Sequence, residues 1–197
     1  MQTIKESLKT EVTSNNIKIH AYCVMDNHYH QAVSYKESSQ YLSRFMRHAH
    51  SLFGARYNRI NHRSGKVAEA RPKTSLIENS EHEMRVHFYI EANPVRARIC
   101  KPENLRTYKF NSFKFYAYGI KDEYTHLLTI PEWYMELGKT PHERQKKYRK
   151  LFYEYLEENK SSSYTLSNQQ FIGSIFWKLK QEERISLFLK AKSENSC

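Results

Sequence analysis

His20-Ala21-Tyr22-Cys23-Val24-Met25-Asp26-Asn27-His28-Tyr29-His30 reads as the middle of a β-hairpin, and the fold follows from that reading. The first strand begins upstream at Ile17, and strict alternation puts Ile17, Ile19, Ala21, Cys23 and Met25 on one face. Asp26-Asn27 is turn chemistry. A second strand, His28 to about Tyr35, then pairs antiparallel with the first. Alternate side chains of a strand share a face, so His28 and His30 project together, about 6.5–7 Å apart at Cα, while Tyr29 points the other way into the core. Two imidazoles so placed can converge on one divalent cation. Two ordinary strand histidines would look the same.

Working outward, residues Ser39 to about Ile60 carry Leu42, Phe45, Met46, Ala49, Leu52, Phe53, Tyr57 and Ile60 at helical spacing. The remaining faces of that helix bear Arg44, Arg47, His48, His50, Arg56 and Arg59. Gly65 breaks the chain, and residues 66–78 read as a strand, with Pro72 forcing an edge or a bulge. A second helix opens at Ser80, with Glu83 three residues on, and runs to about Asn93, where Pro94 disfavours helical geometry for the residue before it. Its buried stripe is Met84, Phe88, Ala92 and Val95; Arg85, Tyr89, Asn93 and Arg96 fall on an adjacent face. A tyrosine with an arginine and an amide one turn away is a candidate nucleophile for phosphoryl chemistry. A free phenol is a poor nucleophile at neutral pH, so a neighbouring cation or a metal-bound phosphate has to assist it.

The aromatic-rich segment 105–119 ends at Gly119. Beyond it, Thr140-Pro141-His142-Glu143 has the cap, proline and acidic residue that open a helix, here about 141–159. Ser167-Asn168-Gln169-Gln170 reads as a further helix start, leading to about residue 192. These features divide the chain into a first domain over residues 1–120 and a helical extension over 121–197. The architecture expected is α+β, an antiparallel sheet with helices packed on it.

The 197 residues carry 32 Lys plus Arg against 21 Asp plus Glu, a net charge of +11, interleaved with 15 Tyr and 10 Phe. That balance points to nucleic acid, since cations meet phosphates and aromatic faces stack on unpaired bases. Arg44, Arg47, Arg56, Arg59, Arg63 and Lys66 could line a phosphate track, and Tyr108 to Tyr116 could grip a single strand. No run of eighteen apolar residues is present, which argues against a membrane-spanning helix or membrane partner, and the N-terminus shows no secretory signal. Three cysteines form no CxxC pair, which suits a reducing cytosol and excludes a cysteine-rich zinc module.

In sequence order, the His20–His30 stretch, Leu42-Ser43-Arg44-Phe45-Met46-Arg47, Arg56-Tyr57-Asn58-Arg59, Arg63-Ser64-Gly65, Lys73-Thr74-Ser75-Leu76-Ile77 and Tyr89-Ile90-Glu91-Ala92-Asn93-Pro94-Val95-Arg96-Ala97 resemble the HUH single-tyrosine transposases. The likeness is strongest to the REP-associated tyrosine transposases and covers about residues 17–118. It implies a ferredoxin-like palm, His28 and His30 as paired metal ligands, Asn93 as a third, and Tyr89 as nucleophile. Arg85 and Arg96 would then contact DNA, and the cofactor would be Mg2+ or Mn2+. The implied activity is nicking and rejoining of single-stranded or hairpin DNA through a 5′-phosphotyrosine, in a cytoplasmic, nucleoid-associated protein. Only sixteen residues precede Ile17, so the family's opening strand is expected to be missing and a homodimer could cover the edge left open. Ala68, Ala70 and Pro72 stand where that family commonly has Trp, Gly and Phe. The competing expectations are a protein that binds DNA or structured RNA hairpins without cutting, and a metal nuclease that uses water.

Overall fold

The computed structural model describes residues 17–36, 38–68, 72–160, 166 and 169–194. Residues 3–14, whose sequence could form one short helix, lie outside them. Strands β1 (Ile17–Val24) and β2 (Tyr29–Tyr35) form the antiparallel hairpin, closed across Asp26-Asn27 by the Met25 N–H donating to the His28 carbonyl at 2.8 Å.

One residue corrects the strict alternation read for β1. Ile19 pairs with Val33 and Ala21 with Ala32, so His20 is the extra residue of a β-bulge. An inserted residue reverses the side-chain parity beyond it. Ile17 and Ile19 therefore share a cluster with Tyr22, Phe45 and Tyr124, while Ala21, Cys23 and Met25 turn to the opposite side and the main core. The bulged imidazole is pinned: His20 Nδ1 donates to the Thr129 carbonyl at 2.9 Å, leaving Nε2 to accept from Ser34 Oγ at 2.8 Å. The other edge of β1 is covered by residues 110–112 and 128–129, through Val24 N–H to the Phe110 carbonyl, Ser112 N–H to Tyr22 and Thr129 N–H to Ile19.

Helix α1 (Ser39–Ile60), capped by Ser38, packs Phe45 and Ala49 against one face of the hairpin. Helix α2 (Ser80–Arg96) lies on the other face, and its N-cap is Asn79, whose side chain accepts from the His82 N–H. The four-residue stripe read for it is too narrow. Every residue from Val86 to Pro94 is buried, because β1 covers one side of α2 and later helices the other. Nor does α2 stop before Pro94. It continues to Arg96 and ends with Ile99 N–H bonded to the Pro94 carbonyl and Arg98 N–H to that of Val95, Arg98 itself being left-handed at φ 58°.

Among the described residues four further α-helices follow: α3 (Phe113–Tyr118), α4 (Glu132–Glu136), α5 (Pro141–Glu158) and α6 (Ile175–Glu194). Helix α5 opens with the capping box expected from Thr140 and Glu143. Trp133, Tyr134, Tyr148, Phe152 and Tyr155 belong to the same core cluster as Cys23, Phe88 and Phe113, so this core crosses the boundary read near residue 120. The aromatic segment 105–119 supplies core rings. Phe113 and Tyr116 are fully buried, with Phe113 4.4 Å from Phe152 between ring centres. Where a strand was expected over 66–78, β3 (Leu76–Ile77) alone forms among the described residues, paired in parallel with β4 (Phe171–Ile172). Of the helix start read at Ser167-Asn168-Gln169-Gln170, Ser167 and Asn168 lie outside the described residues, and β4 follows Gln170 before the helix begins at Ile175. The Glu78 carboxylate accepts from the Ser174 N–H and hydroxyl at the start of α6. No helix among the described residues is long and apolar enough to cross a membrane.

Candidate active site

The hairpin register decides which way each histidine faces. His30 lies opposite Cys23 and so points to the α2 side, whereas Tyr29, opposite Val24, and Gln31, opposite Tyr22, point to α1. There the Tyr29 hydroxyl donates to His50 Nε2 at 2.9 Å and Gln31 Nε2 approaches the Met46 sulfur at 3.3 Å. Burial pushes the Tyr29 hydroxyl pKa up to about 12, which keeps it a donor.

On the α2 side the structure brings His28, His30 and Tyr89 into a row. The two imidazoles stand edge to face with ring centres 5.0 Å apart, and His30 is edge to face with Tyr89 at 5.8 Å. The Arg96 guanidinium lies over the Tyr89 ring, 5.0 Å from its centre. Tyr89 is buried, and among the described residues its hydroxyl has no hydrogen-bond partner. His28 is exposed at the turn, and its Nδ1 donates to Asn27 Oδ1 at 2.6 Å, leaving the Nε2 lone pair free to act as a ligand. His30 is held neutral at neutral pH: burial first, and the neighbouring His28 second, lower its pKa to about 4.

Asn93 sits one turn beyond Tyr89. Pro94 has no N–H, so the Ile90 carbonyl loses its usual helical donor. Asn93 Nδ2 takes that place, donating to the Ile90 carbonyl at 3.2 Å and to the Tyr89 carbonyl at 2.8 Å. These bonds fix the amide's orientation and leave its oxygen as the amide's remaining acceptor. Substituting Asn93→Ala should cost about 1–3 kcal/mol, because a buried carbonyl is left unpaired. Urea unfolding measures it, and a loss under about 0.5 kcal/mol would contradict the repair role.

The other basic residues divide by location. Arg85 is exposed on α2, one turn before Tyr89. Arg44, Arg47, Arg56 and Arg59 belong to α1, on the opposite side of the hairpin from His30 and Tyr89. Arg44 lies over Tyr41, and Arg63, just past α1, lies over Tyr57 and reaches the Lys66 carbonyl. Sequence reading missed Asn27, which orients His28, and His50, which anchors the Tyr29 between the two candidate ligands. Asn27 was legible as the residue before His28; His50 shows only once α1 is docked.

Among the described residues no group of three His, Cys, Asp or Glu side chains converges. A cation here would rest on two neutral imidazoles, with neutral oxygen such as the Asn93 amide completing the set. Imidazole and amide oxygen suit manganese, and magnesium less strongly. Ring centres 5.0 Å apart put both imidazoles within reach of one ion, since imidazole nitrogens bind divalent metals at about 2.1 Å.

The His30 environment has a consequence for stability. Its folded pKa, about 4, lies below the ordinary value of 6.5, so between those values the unfolded chain binds more protons. That contribution is present above about pH 6.5 and is lost as pH falls toward 4. It is on the order of 2 kcal/mol after discounting for partial exposure. Burial lowers the His20 pKa too, in the same direction. His30→Gln should flatten the stability profile between pH 7 and 4, read by urea unfolding; an unchanged slope would contradict the assignment.

No protein-family model, no curated protein and no solved structure matches the chain.

Proposed function

We propose that the chain is a metal-dependent enzyme that nicks and rejoins single-stranded or hairpin DNA, with Tyr89 as nucleophile and the hairpin serving as the palm of an HUH-type site. The observation that carries this reading is the row His28–His30–Tyr89, with Arg96 over the phenol. Residues more than fifty positions apart meet there, and they are the types that strand transfer through a phosphotyrosine needs. The net charge of +11 supports a polyanionic substrate.

In this reading the Tyr89 oxygen attacks phosphorus in line. The Tyr89 O–P bond forms, the P–O3′ bond breaks, and the phenolic proton passes to solvent or the departing 3′-oxygen. Arg96, over the Tyr89 ring, offsets the negative charge the phenol carries as its proton leaves, before that charge passes to the phosphoryl group. His28 and His30, with the Asn93 oxygen, would hold a Mg2+ or Mn2+ ion, which when bound polarises the non-bridging phosphate oxygens. Burial of Tyr89, with His30 half-buried beside it, limits access of water to the phosphotyrosine and so favours rejoining by a second 3′-hydroxyl over hydrolysis.

The test is a denaturing gel of the protein with labelled hairpin DNA and Mn2+, with and without chelator. A band shifted by covalent protein, absent with chelator, is the expected result. Salt-sensitive binding without adduct would favour the non-cutting hairpin binder, and hydrolysed ends without adduct would favour a water-using nuclease.

A further inference from the structure

Two residues past Tyr89, and so about half a turn round α2 from it, the Glu91 side chain is wholly buried. Its Oε1 accepts from Ser112 Oγ at 2.6 Å, and its Oε2 accepts from the Tyr148 hydroxyl of α5. The Glu91 backbone carbonyl accepts from Asn111 Nδ2 at 2.8 Å. His87, one turn earlier and equally buried, places Nε2 3.2 Å from Glu91 Oε1. That contact is a close approach and not an aligned bond, since neither ring nitrogen has a well-directed partner. Tyr116, Trp133 and Tyr148 enclose the His87 ring, with ring centres 4.6–6.0 Å away.

A buried carboxylate is expensive unless its acceptors are filled, so this cluster holds one rotation of α2 and disfavours its neighbours. The lever arm is long. A phenolic oxygen stands about 9 Å from the helix axis, given a Cα radius of about 2.3 Å. A turn of about 10° would sweep it through about 1.5 Å, and misplacement by about 1 Å can cost about a hundredfold in rate.

We infer that Glu91, clamped by Ser112 and Tyr148, is a positioning residue that sets the rotation of α2 and so aims Tyr89 at His30. The inference rests on the reading of Tyr89 as nucleophile. It gives the helices beyond residue 120 a role in the chemistry, because α5 supplies half of the clamp.

Tyr148→Phe deletes one hydroxyl and keeps the ring; Glu91→Gln keeps the shape and removes an acceptor. Each should lower the single-turnover adduct rate at saturating hairpin DNA by about 10–100-fold, with the dissociation constant for uncleaved DNA within about twofold. Phe152→Leu, which loosens α5 beside Tyr148 and Phe88 but leaves both hydrogen bonds to the Glu91 carboxyl group in place, is the control. Well below its melting temperature it should keep the wild-type rate. If Tyr148→Phe and Glu91→Gln are no slower than this control, Glu91 is only a packing element and the inference is overturned. A 3-fluorotyrosine at position 89 gives a readout that needs no catalysis. Its 19F resonance should move in Tyr148→Phe and stay in Phe152→Leu, and a resonance unmoved in both would overturn the inference as well. Absence of any adduct from the wild-type chain would instead overturn the nucleophile reading.

Discussion

Replacing Tyr89 with phenylalanine should leave a folded protein that binds hairpin DNA as before and forms no covalent adduct with it. Only a hydroxyl is removed, and among the described residues it has no hydrogen-bond partner, so stability should change by less than about 0.5 kcal/mol. The Tyr89 ring would still pack against His30 and under Arg96. Adduct formation, by contrast, loses its nucleophile and should fall by at least about a thousandfold. A denaturing gel reads the adduct and a filter-binding titration reads the affinity. The Arg96 guanidinium that lies over Tyr89 also bonds to the hydroxyl of Tyr155 on α5. Adduct that persisted in the Phe variant and mapped to Tyr155 would move the nucleophile from α2 to α5.

The second large effect should come from His28. It is exposed at the hairpin turn, so His28→Ala should cost little stability. If His28 and His30 share an ion, the same change removes half of the imidazole donors and should lower the adduct rate by about 10²–10⁴-fold, as chelator does. The donor set contains no carboxylate, so the protein alone cannot neutralise a divalent charge. A DNA phosphate at the site would supply that charge, so Mn2+ should bind more tightly when uncleaved DNA is present. Linkage requires DNA to bind more tightly with Mn2+ by the same factor. Isothermal titration of Mn2+ into protein with and without hairpin DNA tests both statements. Equal Mn2+ affinity in the two titrations would place the ion elsewhere.

Much of the fold was legible because it depends on local patterns. The stripe of Leu42, Phe45 and Ala49 specifies α1, and the Thr140-Pro141-His142-Glu143 signal specifies the start of α5. What was not legible depends on partners distant in sequence. The bulge at His20 is fixed by Thr129 and Ser34, and nothing in the alternation of β1 announces it. Pro94 looked like a helix end because a proline removes a donor, yet Asn93 restores the bond from its side chain and α2 continues. The burial of α2 on all sides follows from α4 and α5 docking behind it, which a single stripe cannot foretell. At the candidate site, the nearness of His28 and His30 was legible from their spacing, although His28 stands in the turn just before β2. The meeting with Tyr89 was not; it needs the register Cys23 opposite His30, which the bulge leaves in place while reversing the strand before it.

The claim on which the function rests is that the Tyr89 oxygen becomes bonded to DNA. Mass spectrometry of the protease-digested product, after reaction of the full chain with hairpin DNA and Mn2+, tests it most directly. The account predicts a single nucleotide-modified peptide carrying a 5′-phosphate ester at Tyr89, absent when the metal is chelated. A cleaved DNA strand with an unmodified Tyr89 peptide would contradict it.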